Sequence, residues 1–252
     1  VDMLELNLLK NLIENRQEIY ERLAPRVNIV DILGNTYYEV QNSKLLYYIF
    51  NTHFKYYDKE INFAKDFSLY IVGNEYKDKI KDAKFENVFR EFQTKEGRRI
   101  DILIVFDKFE IIIENKINAG DQENQLIDYY NDRYDGKKDI FIIYLTKNAY
   151  KPSEYSIDKG KRAELEENKR IYYLSHNDIA EWIEEYIFKK YKFLKEEKYQ
   201  SIYSALIQIK NNEKIISKTT EEDNMEQEMI KELFKKHNYF DLLKNSNLSK
   251  ED

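Results

Sequence analysis

The sequence predicts a layered α/β domain, and three features carry that reading. Residues 100–106 are an alternating apolar run, and residues 109–116 return after the short turn Asp107-Lys108, so the two form a hairpin of aliphatic strands. Residues 122–134 follow with helical spacing, placing Leu126, Ile127 and Tyr130 on the inner side. Residues 139–145 (DIFIIYL) are continuously apolar, the mark of a strand buried on both faces. A hairpin, a helix and a buried strand in that order give a sheet covered by helices.

The other elements are fitted around that core. Leu4, Leu8, Leu12, Ile19 and Leu23 predict an amphipathic helix over 2–24, ended by Pro25. After a linker with Gly34 and Asn35, residues 38–51 read as a second helix whose apolar face holds Val40, Leu46, Tyr47 and Phe50. A third helix is expected over 59–72, stopped by Gly73-Asn74. Residues 85–94 read as a strand joined through Lys95-Glu96-Gly97 to the hairpin, which makes three antiparallel strands. Gly120 marks the loop after the hairpin, and Asp121 is the expected N-cap of the helix over 122–134. Residues 150–168, with Pro152 and Gly160, read as a loop, and 170–174 as a fifth strand. Ser175 caps a helix with the stripe Ile179, Trp182, Ile183 and Ile187; another helix covers 197–211. A polar break at 217–224 precedes a last amphipathic helix over 225–243. The expected organisation is an N-terminal helical extension (1–34), a main domain (35–216) and a C-terminal helical segment (217–252).

Composition removes several function classes. With 252 residues, 35% of them charged, the chain reads as a soluble, cytoplasmic protein without a bilayer-spanning stretch or a secretory leader. No cysteine means no disulfide, thiol nucleophile or thiolate metal site. His53, His176 and His237 are widely spread and read as ordinary polar residues, so any metal should be a hard cation held by oxygen. The net charge of −6 argues against strong non-specific attraction to a polyanion, although a local basic surface is compatible with it. The 22 tyrosines follow from A/T-rich codons as readily as from base stacking and are given no weight.

Against this background three charges are out of place. Asp101, Glu114 and Lys116 lie within or at the end of apolar strands, where unpaired charge is costly. Glu114 and Lys116 are two apart and share a strand face, and Asp101 reaches that face from the partner strand if the register permits. Two carboxylates and a lysine meeting at a sheet edge would hold a divalent cation with a water beside it. That is a hydrolytic site in outline.

Asp101, a further twelve residues and then Glu114-Asn115-Lys116 resemble the core motif of the PD-(D/E)-x-K nuclease superfamily, with its restriction-endonuclease-like fold. Gln125-Leu126 with Tyr129 resembles the Q-L-x-x-Y element of some branches, and the helix bearing Glu39 and Ser43 resembles the one that adds an acidic residue. Ile100 departs from the signature proline. The resemblance covers roughly residues 35–175. It implies a mixed central sheet flanked by helices, with extra helices at both ends of the chain. It implies Mg²⁺ (or Mn²⁺) ligated by Asp101, Glu114 and the Asn115 carbonyl, with Glu39 adding an outer ligand or holding a second metal. Lys116 would orient the attacking water or stabilise the transition state. Gln125 would bond a backbone phosphate or fix the lysine, and Tyr129 would meet phosphate or sugar. Ser43, Arg98 and Arg99 join the substrate-binding set, with Lys95 beside them and Lys147, Lys151, Lys159, Lys161 and Arg162 as a second basic wall.

The implied activity is metal-dependent phosphodiester hydrolysis, on DNA before RNA, in host defence or a mobile element by the family's habits alone. A homodimer suits it, since cutting a duplex needs two sites. Plainer readings stand beside this one. Glu114 and Lys116 can be a strand-end ion pair, Asp101 a partner for Arg98 or Arg99, Glu39 a helix-dipole residue, and Tyr129 core. The whole can be an inactive nuclease-fold binding or assembly module, or a structural protein using its last helix for self-association.

Overall fold

The computed structural model describes residues 26–236, together with Lys10, Asn11, Ile13, Glu14, Arg16, Glu21 and Leu23. The chain divides into two compact units, 28–217 and a second built from 1–27 with 218–252. In the larger unit the helices are α1 (Ile29–Ile32), α2 (Glu39–Phe50), α3 (Phe63–Ile71), α4 (Lys77–Asp82), α5 (Gln125–Arg133), α6 (Lys159–Glu167), α7 (His176–Glu181), α8 (Phe188–Lys190) and α9 (Gln200–Ser217). Strands β1 (His53–Tyr56) and β2 (Lys59–Asn62) make a small hairpin. The main sheet contains β3 (Phe85–Gln93), β4 (Arg99–Phe106), β5 (Phe109–Lys116), β6 (Asp139–Thr146) and β7 (Ile171–Ser175), side by side in that order.

Connections explain the mixed topology. Short links leave β3, β4 and β5 antiparallel, whereas α5 and α6 carry the chain back so that β5, β6 and β7 run parallel. Every residue of β5 is buried. Ile111 and Ile113 pack into the cluster that includes Leu46 and Phe50 of α2, while Ile112 packs on the opposite side with Leu126 and Tyr129 of α5. The sheet is therefore a mixed five-stranded layer between helices, the restriction-endonuclease-like α/β arrangement expected.

Several boundaries differ from expectation, each for a local reason. The helix expected over 59–72 begins only at Phe63. Tyr57 takes a positive φ of 52° at the turn, pairing Tyr56 with Lys59, and Asn62 then caps the helix through Lys65 N–H. The helix expected from 122 starts at Gln125, after Asn124 in the left-handed region, and Asp121 is no cap. Residues 159–167, expected as loop, are helix α6, capped by Asp158; only Leu165 is buried there, so the apolar stripe is too thin to read. The helix after Ser175, whose capping box is present, passes into a π-helical turn at Trp182–Ile187. Helix α9 starts later than expected and runs on to Ser217.

In the smaller unit, Lys10, Asn11, Ile13, Glu14, Arg16 and Glu21 are helical; the other residues of the helix expected over 2–24 lie outside the described residues, apart from Leu23. Helix α10 (Glu221–Lys236) begins four residues earlier than expected because Thr220 caps it through Asp223 N–H. Residues 237–243 of that expected helix lie outside the described residues, as does His237. No described helix is long and apolar enough to cross a membrane.

Candidate active site

The β4–β5 ladder has Ile102↔Ile113 as its last register pair. One step further, the Asp101 side chain takes over as acceptor: Asn115 N–H donates to Asp101 Oδ2 at 2.8 Å. A carboxylate thus stands where a backbone bond would otherwise continue the hairpin, and the three out-of-place charges meet at this end of the sheet.

Alternation along β5 sends Glu114 and Lys116 to the α5 side and Asn115 to the α2 side. Lys116 Nζ lies 2.8 Å from Glu114 Oε1. Gln125 Nε2, at the first residue of α5, donates to the same oxygen at 2.8 Å and to Tyr129 OH at 3.0 Å. Tyr129 OH donates in turn to the Arg99 carbonyl at 2.5 Å, which ties α5 to β4. Glu114 is 2% exposed, and its Oε2 has no hydrogen-bond partner among the described residues.

The electrostatics follow from this crowding. Burial, reinforced by the charge of Asp101, outweighs Lys116 and pushes the Glu114 carboxyl up to about 8. Burial likewise raises Asp101 to about 6, against the Asn115 N–H and the Lys116 charge. Burial pulls Lys116 down, but Glu114, Asp101 and Glu39 more than compensate, so its ammonium is held above the ordinary value. Next to Glu114 in the β5–β6 register, Tyr144 donates to Asp121 Oδ1 at 2.6 Å, and burial with that carboxylate raises its hydroxyl. Asp121 Oδ2 accepts from Ser153 N–H at 2.7 Å, which pins the loop after β6 over the site's flank.

Two acids pushed toward their neutral forms, one with a bare buried oxygen, make a site short of positive charge. A hard divalent cation fits that deficit. Among the described residues no three His, Asp or Glu side chains are grouped as a metal cage. The side-chain donors are two carboxylates, which suits an ion that keeps several waters.

Glu39 is placed differently from expectation. At the start of α2, its Oε1 collects the N–H groups of Ile117, Asn118 and Ala119 at 2.7, 2.8 and 2.7 Å. It anchors the loop that follows Lys116 and is not grouped with Asp101 and Glu114 as a third metal-cage acid. Ser43, expected to touch substrate, is 3% exposed and accepts from Asn115 Nδ2 at 3.0 Å, so it supports the strand from behind. Arg98 is bound to Asp128 and to the Glu123 carbonyl, and Arg99 to Glu91, so neither pairs with Asp101. In the second basic wall, Lys151, Lys159 and Lys161 pair with Glu166, Glu154 and Glu164, Arg162 donates to the Pro152 carbonyl, and Lys147 to Asn118 Oδ1. Lys95 holds Asp132 through its backbone N–H.

Asn42 and Asp121 hold parts of the site in ways the sequence reading does not give. Asn42 accepts from Asn115 Nδ2 at 2.8 Å, and its position one turn after Glu39 was a usable signal. Asp121 was seen, but as a cap.

A family model of the PD-(D/E)XK nuclease superfamily matches residues 27–228, a span that contains every residue of this cluster. No curated protein and no solved structure matches the chain.

Proposed function

Because the chain belongs to the PD-(D/E)XK nuclease superfamily, whose nucleases typically use divalent metal ions, we propose that it is a Mg²⁺- or Mn²⁺-dependent endonuclease that cuts DNA at Asp101, Glu114 and Lys116. The observation that carries this reading is Glu114: buried, held on one oxygen by Lys116 and Gln125, and bare on the other. Asp101 and Glu114 would hold the ion, with the Asn115 backbone carbonyl as a third oxygen. Such an ion supplies Lewis acidity and a bound water of lowered pKa.

The chain's own groups do the rest. Gln125 fixes Glu114 Oε1, so the free Oε2 keeps one direction. Lys116, whose ammonium lies beside Glu114, would orient the attacking water and offset charge gathering on the phosphoryl oxygens. Tyr129 holds Gln125 in place rather than touching substrate. Cutting both strands of a duplex requires two such sites, and a homodimer would supply them.

Cleavage of supercoiled plasmid and of single-stranded DNA, with Mg²⁺ or Mn²⁺, tests the reading. Nicking that needs the metal and is lost in Lys116→Ala and Glu114→Ala is the expected result. A folded wild type that binds metal and nucleic acid but leaves DNA and RNA uncut would instead make the chain a binding module.

A further inference from the structure

The middle residue of the Glu114-Asn115-Lys116 motif faces away from the site, and what it meets there is unusual for a hydrophobic core. Asn115 is 1% exposed, and its Nδ2 donates to Asn42 Oδ1 and Ser43 Oγ of α2. Asn42 Nδ2 donates onward to Glu213 Oε1 of α9 at 2.6 Å. Glu213 Oε2 lies 2.5 Å from His176 Nδ1, at the first residue of α7. Asn42, Glu213 and His176 are each 0% exposed. A glutamate wholly removed from water is costly, and this one is kept by two side chains from two other helices. The line of bonds runs from β5 through α2 and α9 to α7.

We propose that Glu213 and His176 are positioning residues for the motif strand, acting through Asn42 and Asn115; this rests on the nuclease reading above. The physical reason is geometric. Glu114 and Lys116 flank Asn115, so a turn of that one residue moves the carboxylate and the ammonium together. Ile113 lies in the apolar cluster on the α2 side, and apolar packing does not fix rotation about a strand as directed hydrogen bonds do. Glu213 fixes the Asn42 amide, because an acceptor on one end leaves only its oxygen to face Asn115. His176 in turn fixes the carboxylate. Asn115 is thereby held from behind while Asp101 holds its backbone N–H in front.

The test uses the full chain and two readouts, Mn²⁺ affinity by calorimetry and the kcat and KM of DNA cleavage. In the double variant His176→Phe with Glu213→Leu, apolar groups replace the buried pair, which preserves folding better than removing one partner. Mn²⁺ affinity and kcat should each fall about tenfold or more, with KM for DNA and the Tm little changed. Glu213→Gln, which keeps an acceptor for Asn42 and a donor for His176, should recover both. Should the double variant not fold, Asn42→Ala cuts the same line with the Glu213–His176 pair in place. A folded variant with wild-type Mn²⁺ affinity and kcat would overturn the proposal and leave the four residues a purely structural network. A wild type that binds Mn²⁺ but does not cut would defeat the nuclease reading alone, and the affinity comparison would still decide this one. No Mn²⁺ binding by the wild type would overturn both.

Discussion

Strand β5 carries two buried glutamates four residues apart, and helix α5 reaches both. At one end Glu110, 4% exposed, receives Arg133 Nε and Nη2 at 2.7 and 2.9 Å, with Lys138 at 3.7 Å. At the other end Glu114, 2% exposed, receives Lys116 and Gln125 on one oxygen and nothing on the other. Residue type, strand and depth are alike; only the partners differ. The first carboxylate is closed on both oxygens, so it is explained by the fold alone. The second is left with an unmet demand that costs stability, and such a group points to a ligand absent from the protein itself. Burial of charge therefore does not mark a site; incomplete satisfaction of that charge does.

Removing each glutamate is the harshest trial of this contrast. Glu114→Ala should cost cleavage at least about a hundredfold, and because burial already disfavours the Glu114 charge it should cost the metal-free protein less stability than Glu110→Ala, although Lys116 loses its partner. Glu110→Ala should do the reverse. It strands the Arg133 guanidinium, so stability should fall by about 3 kcal/mol and the Tm by roughly 6–12 °C, with cleavage at low temperature retained. Plasmid nicking and thermal unfolding of both variants measure this. Equal losses of stability would erase the distinction between the two ends.

A milder intervention is pH. Glu114 is raised to about 8 and Asp101 to about 6, each from an ordinary carboxylate value near 4. The folded state then binds protons that the unfolded state has released, so the stabilising contribution is full below about pH 4 and is lost as pH rises through the folded values. The metal-free protein should therefore lose stability between about pH 5 and 8, by an amount on the order of 5 kcal/mol. Glu114→Gln should flatten most of that slope. Divalent metal should reverse the loss, since it binds the deprotonated acids, and its affinity should rise with pH over the same range. A stability curve in chelator that rises from pH 5 to 8 would contradict the assigned environment of Glu114.

The legible parts of this molecule are those whose cause is local. Asp101, Glu114 and Lys116 stood out because charge inside an apolar strand is visible from sequence, and Gln125 and Tyr129 through their resemblance to the Q-L-x-x-Y element, which puts both on one helix face. The sheet was legible for the same reason, being written in period-two and continuous apolar runs. The hairpin at 53–62 was not, because its strands are short and half exposed, and its turn rests on Tyr57 rather than on glycine. For Glu39, which donors claim its carboxylate depends on where the 117–119 backbone turns, a tertiary fact. Glu213 is the extreme case: it lies 171 residues from Asn42, and no periodicity connects them.

The gentlest probe is Tyr129, which serves the open end of β5 chiefly through Gln125 and the Arg99 carbonyl. Its hydroxyl accepts from Gln125 and donates to the Arg99 carbonyl. In Tyr129→Phe the ring still fills the space between α5 and the sheet, so the loss is confined to those two bonds and should cost about 1 kcal/mol of stability. Gln125 then keeps Glu114 Oε1 as its remaining side-chain acceptor but loses the fixed neighbour that set its angle. Metal affinity should weaken only slightly, and cleavage should fall by less than in Gln125→Ala, which leaves Oε1 with Lys116 alone. That order separates the two roles: Gln125 decides how many partners the glutamate has, and Tyr129 only how firmly one of them is held. If Tyr129→Phe proved as damaging to cleavage as Gln125→Ala, the hydroxyl would have to act on the substrate directly.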